Sequence, residues 1–158
     1  MPNIVIHCPA GAYPGPSRQN LIRHVNDAAA QAEQIPEHPR HRALCWVLVQ
    51  ELPSGQWTCG AQDVTDRVLP CMARVSLPAG VLNEAGRALY VKLLHDAFMQ
   101  SLPEDECRAL QLSVILEEVP DGLWGVNQQL WRLPDFALAA GFKHLQQRGS
   151  VAGSLDQR

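Results

Sequence analysis

The feature that most limits what this chain can become is an internal duplication. Residues 2–11 read PNIVIHCPAG and residues 71–80 read CMARVSLPAG. Each is a run suited to a β-strand that closes on Pro-Ala-Gly, and Pro9 and Pro78 stand 69 residues apart. A second pair of matching segments, ELPSGQW at 51–57 and EVPDGLW at 118–124, recurs at an offset of 67. Two matching pairs at nearly one offset make coincidence a poor account. The chain is two copies of one unit, with about two extra residues in the first.

Each copy repeats one grammar: a strand (NIVIHC or MARVSL), a Pro/Gly turn, a helical stretch, a second strand (LCWVLVQEL or LQLSVILEEV) and a Pro-x-Gly-x-Trp turn. In the first copy Leu21, Ile22, Val25, Ala28, Ala29 and Ala32 fall at helical spacing, with Pro16-Ser17 as the start signal. In the second, Leu82, Ala85, Leu89, Leu93 and Ala97 form the corresponding stripe, with Asn83 as the cap. Pro36 and Pro39 end the first helical region and Pro103 the second. A strand–helix–strand unit makes its two strands parallel, through a right-handed crossover. The predicted fold class is therefore α/β (α+β): tandem βαβ units, residues 1–67 and 68–158, fused in one domain, giving a four-stranded sheet with two helices on one face. The near-continuous apolar runs LCWVLV and LSVIL predict burial on both faces of that sheet. Two helices cover only one face, so self-association is expected to cover the other. Beyond Trp124, Gln129–Trp131 predicts a short strand. Leu133–Gly141 predicts a short helix with proline near its start and glycine at its end, and residues after about Gln147 a frayed tail.

Composition narrows the function classes. A chain of 158 residues that is 46% hydrophobic suits one domain with a sizeable core. The net charge of −3 is mixed in sign, and no run of Lys or Arg suggests a nucleic-acid groove or an anionic membrane surface. No apolar stretch approaches a membrane span and no basic leader precedes the first apolar run, so the expected location is cytoplasmic. Cys8, Cys45, Cys59, Cys71 and Cys107 are scattered, with no C-x-x-C, which reads as buried reduced thiols. His38 and His41 give H-x-x-H in a Pro-rich segment without two further ligands. With Arg40 and Arg42 they read as a solvated loop, and no metal or other cofactor is expected.

A duplicated βαβ unit that begins Met-Pro resembles the tautomerase superfamily, which includes 4-oxalocrotonate tautomerase, cis-3-chloroacrylic acid dehalogenase, malonate semialdehyde decarboxylase and macrophage migration inhibitory factor. The resemblance covers about residues 2–145. It rests on Pro2 leading the strand Asn3-Ile4-Val5-Ile6-His7, on the turns Pro53–Trp57 and Pro120–Trp124, and on the closing Trp124-Gly125-Val126-Asn127 and Trp131 through Gly141. It implies a homotrimer and a catalytic N-terminal proline acting on a small carbonyl acid. A proline freed by loss of Met1 is a secondary amine. A free α-amino group titrates at roughly 7.7–8.0. Burial disfavours its charged form, leaving a neutral base able to take a proton from carbon beside a carbonyl. A charged amine acts as an acid instead.

The departures from the family pattern are specific. Where 4-oxalocrotonate tautomerase carries substrate-binding arginines after the first turn and in the second strand, this chain has Ala12 and Val81, and Trp46 and Ser113. The water-activating carboxylate of the chloroacrylic acid dehalogenases falls near Val126, which argues against dehalogenation. The aromatic position of the family site falls on Trp57 or Trp124.

Pro2 is thus the candidate base. Arg74, in an otherwise apolar strand, fits either a substrate carboxylate or an interfacial salt bridge. Trp57 and Trp124 fit either a pocket wall or packing. Asn127 fits an enolate donor, and His7 lies near enough in sequence to influence the charge of Pro2. Glu117 and Glu118 point to opposite sides of one strand, so only one can face a pocket. Asn127, His7 and the two glutamates also suit purely structural roles. The reading is a tautomerase-like isomerase of a small keto or enol acid. A decarboxylase or hydratase of the same superfamily and a non-catalytic trimeric binding protein are the alternatives.

Overall fold

Each unit opens on a strand whose alternation sets its two faces, and the computed structural model describes residues 2–145. The predicted frayed tail lies outside the described residues. In β1 (Asn3–Pro9) Ile4, Ile6 and Cys8 are buried on one side, while Asn3, Val5 and His7 face the other. Helix α1 (Pro16–Ala32) starts on a proline whose fixed φ suits the first turn. It buries Leu21, Val25, Ala28, Ala29 and Ala32. Ile22, expected on that face, is 38% exposed, because one residue turns a helix by about 100°.

Pro39 starts a helix rather than only ending one. His38 caps the single turn α2 (Pro39–Arg42), its Nδ1 accepting from the Arg40 amide at 3.3 Å. The segment read as a solvated loop is therefore structured: Arg42 bonds Asn26 and pairs with Asp27 on α1. Strand β2 (Trp46–Leu52) completes the unit. A small hairpin, β3 (Thr58–Cys59) with β4 (Gln62–Asp63), follows it.

The second unit repeats the order with β5 (Val68–Pro78), α3 (Glu84–Gln100) and β6 (Ala109–Val119). Asn83 caps α3 as expected, its Oδ1 accepting from the Gly86 amide at 2.8 Å. The buried face of α3 is Tyr90, Leu94, Ala97 and Phe98. The stripe expected through Leu89 and Leu93 is thus out of phase by one residue, and Leu89 is 39% exposed. Residues 89–94 are apolar nearly all round, so their spacing admits both phases. The aromatic Tyr90 and Phe98, with the most surface to bury, take the core.

The sheet order is β2-β1-β5-β6. Each unit's strands are parallel, and the units meet through the antiparallel β1–β5 pair. Helices α1 and α3 cover one face. The other is open: β2 and β6 alternate exposed and partly buried positions rather than being buried on both sides, because one helical layer covers one side only. Trp46, Leu48 and Ile115 project from that open face.

The chain closes with the hairpin β7 (Trp124–Val126) and β8 (Gln129–Trp131) and helix α4 (Leu133–Ala140). Gly141 ends α4 at φ 68°, a left-handed cap suited to glycine.

Candidate functional site

The amino end of the fold is an interior position. Pro2 is buried at the head of β1, and its carbonyl accepts the Trp46 amide at 3.1 Å. The fold also buries an acidic residue that sequence reasoning missed. Glu33, the C-cap of α1, is 0% exposed. Tyr90, reaching across from α3, donates its hydroxyl to Glu33 Oε1 at 3.1 Å. Burial pushes the Glu33 carboxyl above its ordinary value, against the opposing pull of the chain's amino terminus, the Tyr90 hydroxyl and His144. Burial also pushes the Cys45 thiol up to about 12, with the Glu33 charge adding to it and the amino terminus opposing it. Glu33, Tyr90 and Cys45 therefore form one neighbourhood, built from α1, α3 and the approach to β2.

His144 borders that neighbourhood. Its Nε2 donates to the Val81 carbonyl at 2.7 Å. Its buried Nδ1 has no hydrogen-bond partner among the described residues. A cavity of about 290 Å³ opens there, lined by Ala32, Gln34, Gly80, Val81 and His144 among others.

The other expected residues are dispersed within one chain. Arg74 lies at mid-sheet on the open face, its Nε 3.2 Å from Glu117 Oε1. Glu118, on the opposite side of β6, pairs with Arg87 of α3, so the two glutamates divide between the faces as their adjacency requires. Trp57 lines a groove of about 380 Å³ with His7, Leu52, Gln56, Thr58 and Met72. That groove is at the end of β1 away from Pro2, and its Met72 is next to Cys71, the residue that the duplication pairs with Pro2. Trp124 follows β6, whose last residue Val119 is opposite Pro78, at the sheet end where β1 begins. Its ring meets Phe136 edge-on, centroids 5.3 Å apart, and Trp131 does the same at 5.2 Å. Asn127 is exposed in the β7–β8 turn at φ 45°, a conformation that asparagine adopts more readily than most residues.

His38 and His41 have ring centroids 5.3 Å apart, and among the described residues no group of three or more His, Cys, Asp or Glu side chains is placed to hold a metal ion. No helix of the described residues is long and apolar enough to cross a membrane. Cys8, Cys45 and Cys71 are buried, whereas Cys59 and Cys107 are exposed, which corrects the expectation that all five are interior. Cys59 sits in the small first hairpin and Cys107 in the loop before β6, where no second layer covers them.

No protein-family model matches the sequence, and no curated protein sequence does either. Solved structures do match. The F6 fused 4-OT, an asymmetric trimer, superposes with a TM-score of 0.67 at 17% identity, over 86% of this chain and 98% of its own. The Q0 fused 4-OT, a symmetric trimer, gives 0.64 at 23% identity, over 87% and 98%. The macrophage migration inhibitory factor of Toxoplasma gondii gives 0.60 at 14% identity, over 82% and 99%. With its paired βαβ units, antiparallel junction and interior amino end, the chain has the fold of the tautomerase superfamily.

Proposed function

We propose that this chain is a tautomerase-like isomerase that moves a proton on a small keto or enol acid, with Pro2 as the reacting amine. The observation that carries this reading is that Pro2 is buried at the head of β1. An amine withdrawn from water can take a proton from carbon and return it to oxygen or to another carbon through an enol. Arg74 is the proposed carboxylate binder, since its half-exposed side chain stands on the open face. Trp124 is proposed as an apolar wall at the Pro2 end of the sheet. Trp57, at the other end of β1, and Asn127, in the β7–β8 turn, complete the proposed pocket of an assembly in which neighbouring copies approach.

A homotrimer is part of the reading. Trp46, Leu48 and Ile115 leave an apolar open face that self-association would cover, and the F6 and Q0 fused 4-OT structures are trimers. A second reading keeps the same site but uses the amine as an acid, in decarboxylation or hydration. The carboxyl of Glu33 at the amino end favours it.

Enol–keto conversion of phenylpyruvate or 2-hydroxymuconate, followed by absorbance, tests the primary reading. The native protein should turn over one of them, and Pro2→Ala should lose at least about 100-fold in rate, the scale on which positioned bases act. An equally active Pro2→Ala variant would sink the role of Pro2. Absence of turnover would leave the decarboxylase or hydratase, or a trimeric binding protein without catalysis. Intact-mass measurement comes first, since retained Met1 would block the amine.

A further inference from the structure

Register decides which side chains share the sheet end where β1 begins. Asn3 lies opposite Ser76 in the antiparallel β1–β5 pairing, and continuing that ladder by one residue sets Pro2 across from Leu77. Leu77 is opposite Glu118 in the parallel β5–β6 pairing. Pro2, Leu77 and Glu118 therefore form one cross-strand row, and with neighbouring strands about 4.8 Å apart the backbones of Pro2 and Glu118 are about 10 Å from each other. The row also lies on one face. Pro2 has the parity of Ile4, Ile6 and Cys8, which are buried on the helix side. Leu77 is buried, and Glu118 meets Arg87 of α3. Arg74, by contrast, lies three residues back along β5 and on the open face.

Arg87 is the cation of that row. It stands near the start of α3, partly exposed, with its Nη1 3.4 Å from Glu118 Oε2. Its Nε and Nη2 bond nothing among the described residues. A guanidinium stays charged and presents five donors in a planar fork, so this one long contact leaves most of the fork free. A partly exposed pair of this kind adds little stability. The preceding residue, Gly86, lines the cavity of about 290 Å³ at the turn between β5 and α3.

The duplication supplies an internal control. Arg18 and Glu51 are the counterparts of Arg87 and Glu118, at the same offsets of 69 and 67, and they also pair. Their carboxylate takes the Gly11 amide as well, at 3.3 Å. Glu51 is opposite Cys8, and one further step of the β1–β5 ladder sets Cys8 across from Cys71. The matching row at the other end of the sheet thus ends on Cys71 in peptide linkage, where no amine exists. Both rows have the ion pair, and one has the terminal residue.

We propose that Arg87 is the carboxylate-binding residue that the Pro2 site draws from its own chain. The free edge of its guanidinium takes the substrate carboxylate in a charge-assisted, bidentate pair, while Glu118 holds the other edge. This deepens the proposed function and rests on its reading of Pro2 as the reacting amine. The substrate is a small keto or enol acid, its carboxylate toward β6 and its reacting carbon toward β1. Arg74, on the opposite face, can reach such a site only from a neighbouring copy.

The test titrates phenylpyruvate into the full chain and reads Kd by calorimetry, which needs no turnover. Arg87→Gln should weaken Kd by about 10-fold or more, the scale of one charge-assisted hydrogen bond. Arg87→Lys should recover part of the loss. Arg18→Gln breaks the matching pair at the other end and should leave Kd unchanged. Glu118→Gln frees the whole fork and removes a competing charge, so it should tighten Kd. A purely structural pair would weaken Kd alike in Arg87→Gln and Glu118→Gln, and that result overturns the proposal. So does an unchanged Kd in Arg87→Gln, or no binding by the native chain. Should Arg87→Gln fail to fold, the direction of the Glu118→Gln change decides alone. An active Pro2→Ala variant sinks the reacting amine yet leaves an Arg87-dependent Kd standing, so the two failures are distinguishable.

Discussion

Val5 and Arg74, which the duplication makes equivalent, lie directly opposite each other across the β1–β5 pairing. The local two-fold that relates the units passes between them. Like charges at directly opposed positions repel, and this pair carries one arginine. If Arg74 binds a substrate carboxylate, Arg74→Ala should raise KM for an acid substrate by about 10-fold or more, with a smaller change in kcat. Its ion pair with Glu117 is half exposed, and such pairs contribute about 0–1 kcal/mol. The melting temperature should therefore barely move. A changed assembly mass with unchanged KM would instead make Arg74 an interface residue.

Glu33 sets a pH dependence of stability. Its folded-state value is raised above the ordinary 4.5, so the folded protein holds this proton more tightly than the unfolded chain does. The contribution of Glu33 to stability is then greatest below that value and falls as pH rises through the folded-state value. Glu33→Gln removes the dependence. The melting temperature of the variant minus that of the native protein should rise from pH 4.5 upward. A difference that is flat with pH would refute this assignment.

Gly141→Ala should destabilise the fold by about 1–3 kcal/mol. The backbone there is left-handed at φ 68°, and an added Cβ would come within 2.6 Å of the His41 ring. Thermal or urea unfolding measures it. Gly55→Ala is the comparison: it is also left-handed, at φ 82°, but has open space around it, so it should cost less.

Thiol chemistry should divide the cysteines. Cys59 and Cys107 are exposed, whereas burial pushes the Cys8 thiol up to about 11 and raises Cys45 and Cys71 further. Since the thiolate is the reactive form, a colorimetric disulfide reagent at neutral pH should titrate the two exposed thiols rapidly in the native protein. All five should react in denaturant.

Leu48→Asp tests the assembly. Leu48 is 50% exposed in one chain and stands beside Trp46 on the open sheet face. A carboxylate placed there should lower the sedimentation mass from trimer to monomer with little loss of helical signal. An unchanged mass would mean that this face is not the interface.

Legibility in the sequence followed the range of the forces involved. The paired units, the β7–β8 hairpin strand at Gln129–Trp131, the cap at Asn83 and the glycine end of α4 are written in local pattern and turn chemistry, and they stand where the sequence put them. The phase of α3 was ambiguous, because apolar residues surround its axis at 89–94 and only packing against the sheet chooses among them. Glu33 was illegible for a related reason. A glutamate after an alanine-rich helix reads as solvated, and the hydroxyl that bonds it is that of Tyr90, 57 residues away in the other unit. The one available signal was comparison of the helix ends of the two copies, Glu33 against Ser101. The proposed companions of Pro2 stayed scattered because spacing along a strand says nothing about which copy of the chain supplies the facing wall.

The fusion itself has a numerical consequence. Two separate βαβ chains would present two amino termini, whereas this chain presents one for every pair of units. If Pro2 is the reacting amine, an inactivator directed at it should saturate at one equivalent per chain. The second unit carries Cys71 and Ser101 at the positions matching Pro2 and Glu33, and is followed by the β7–β8 hairpin and α4. The two ends of the sheet therefore have different neighbours.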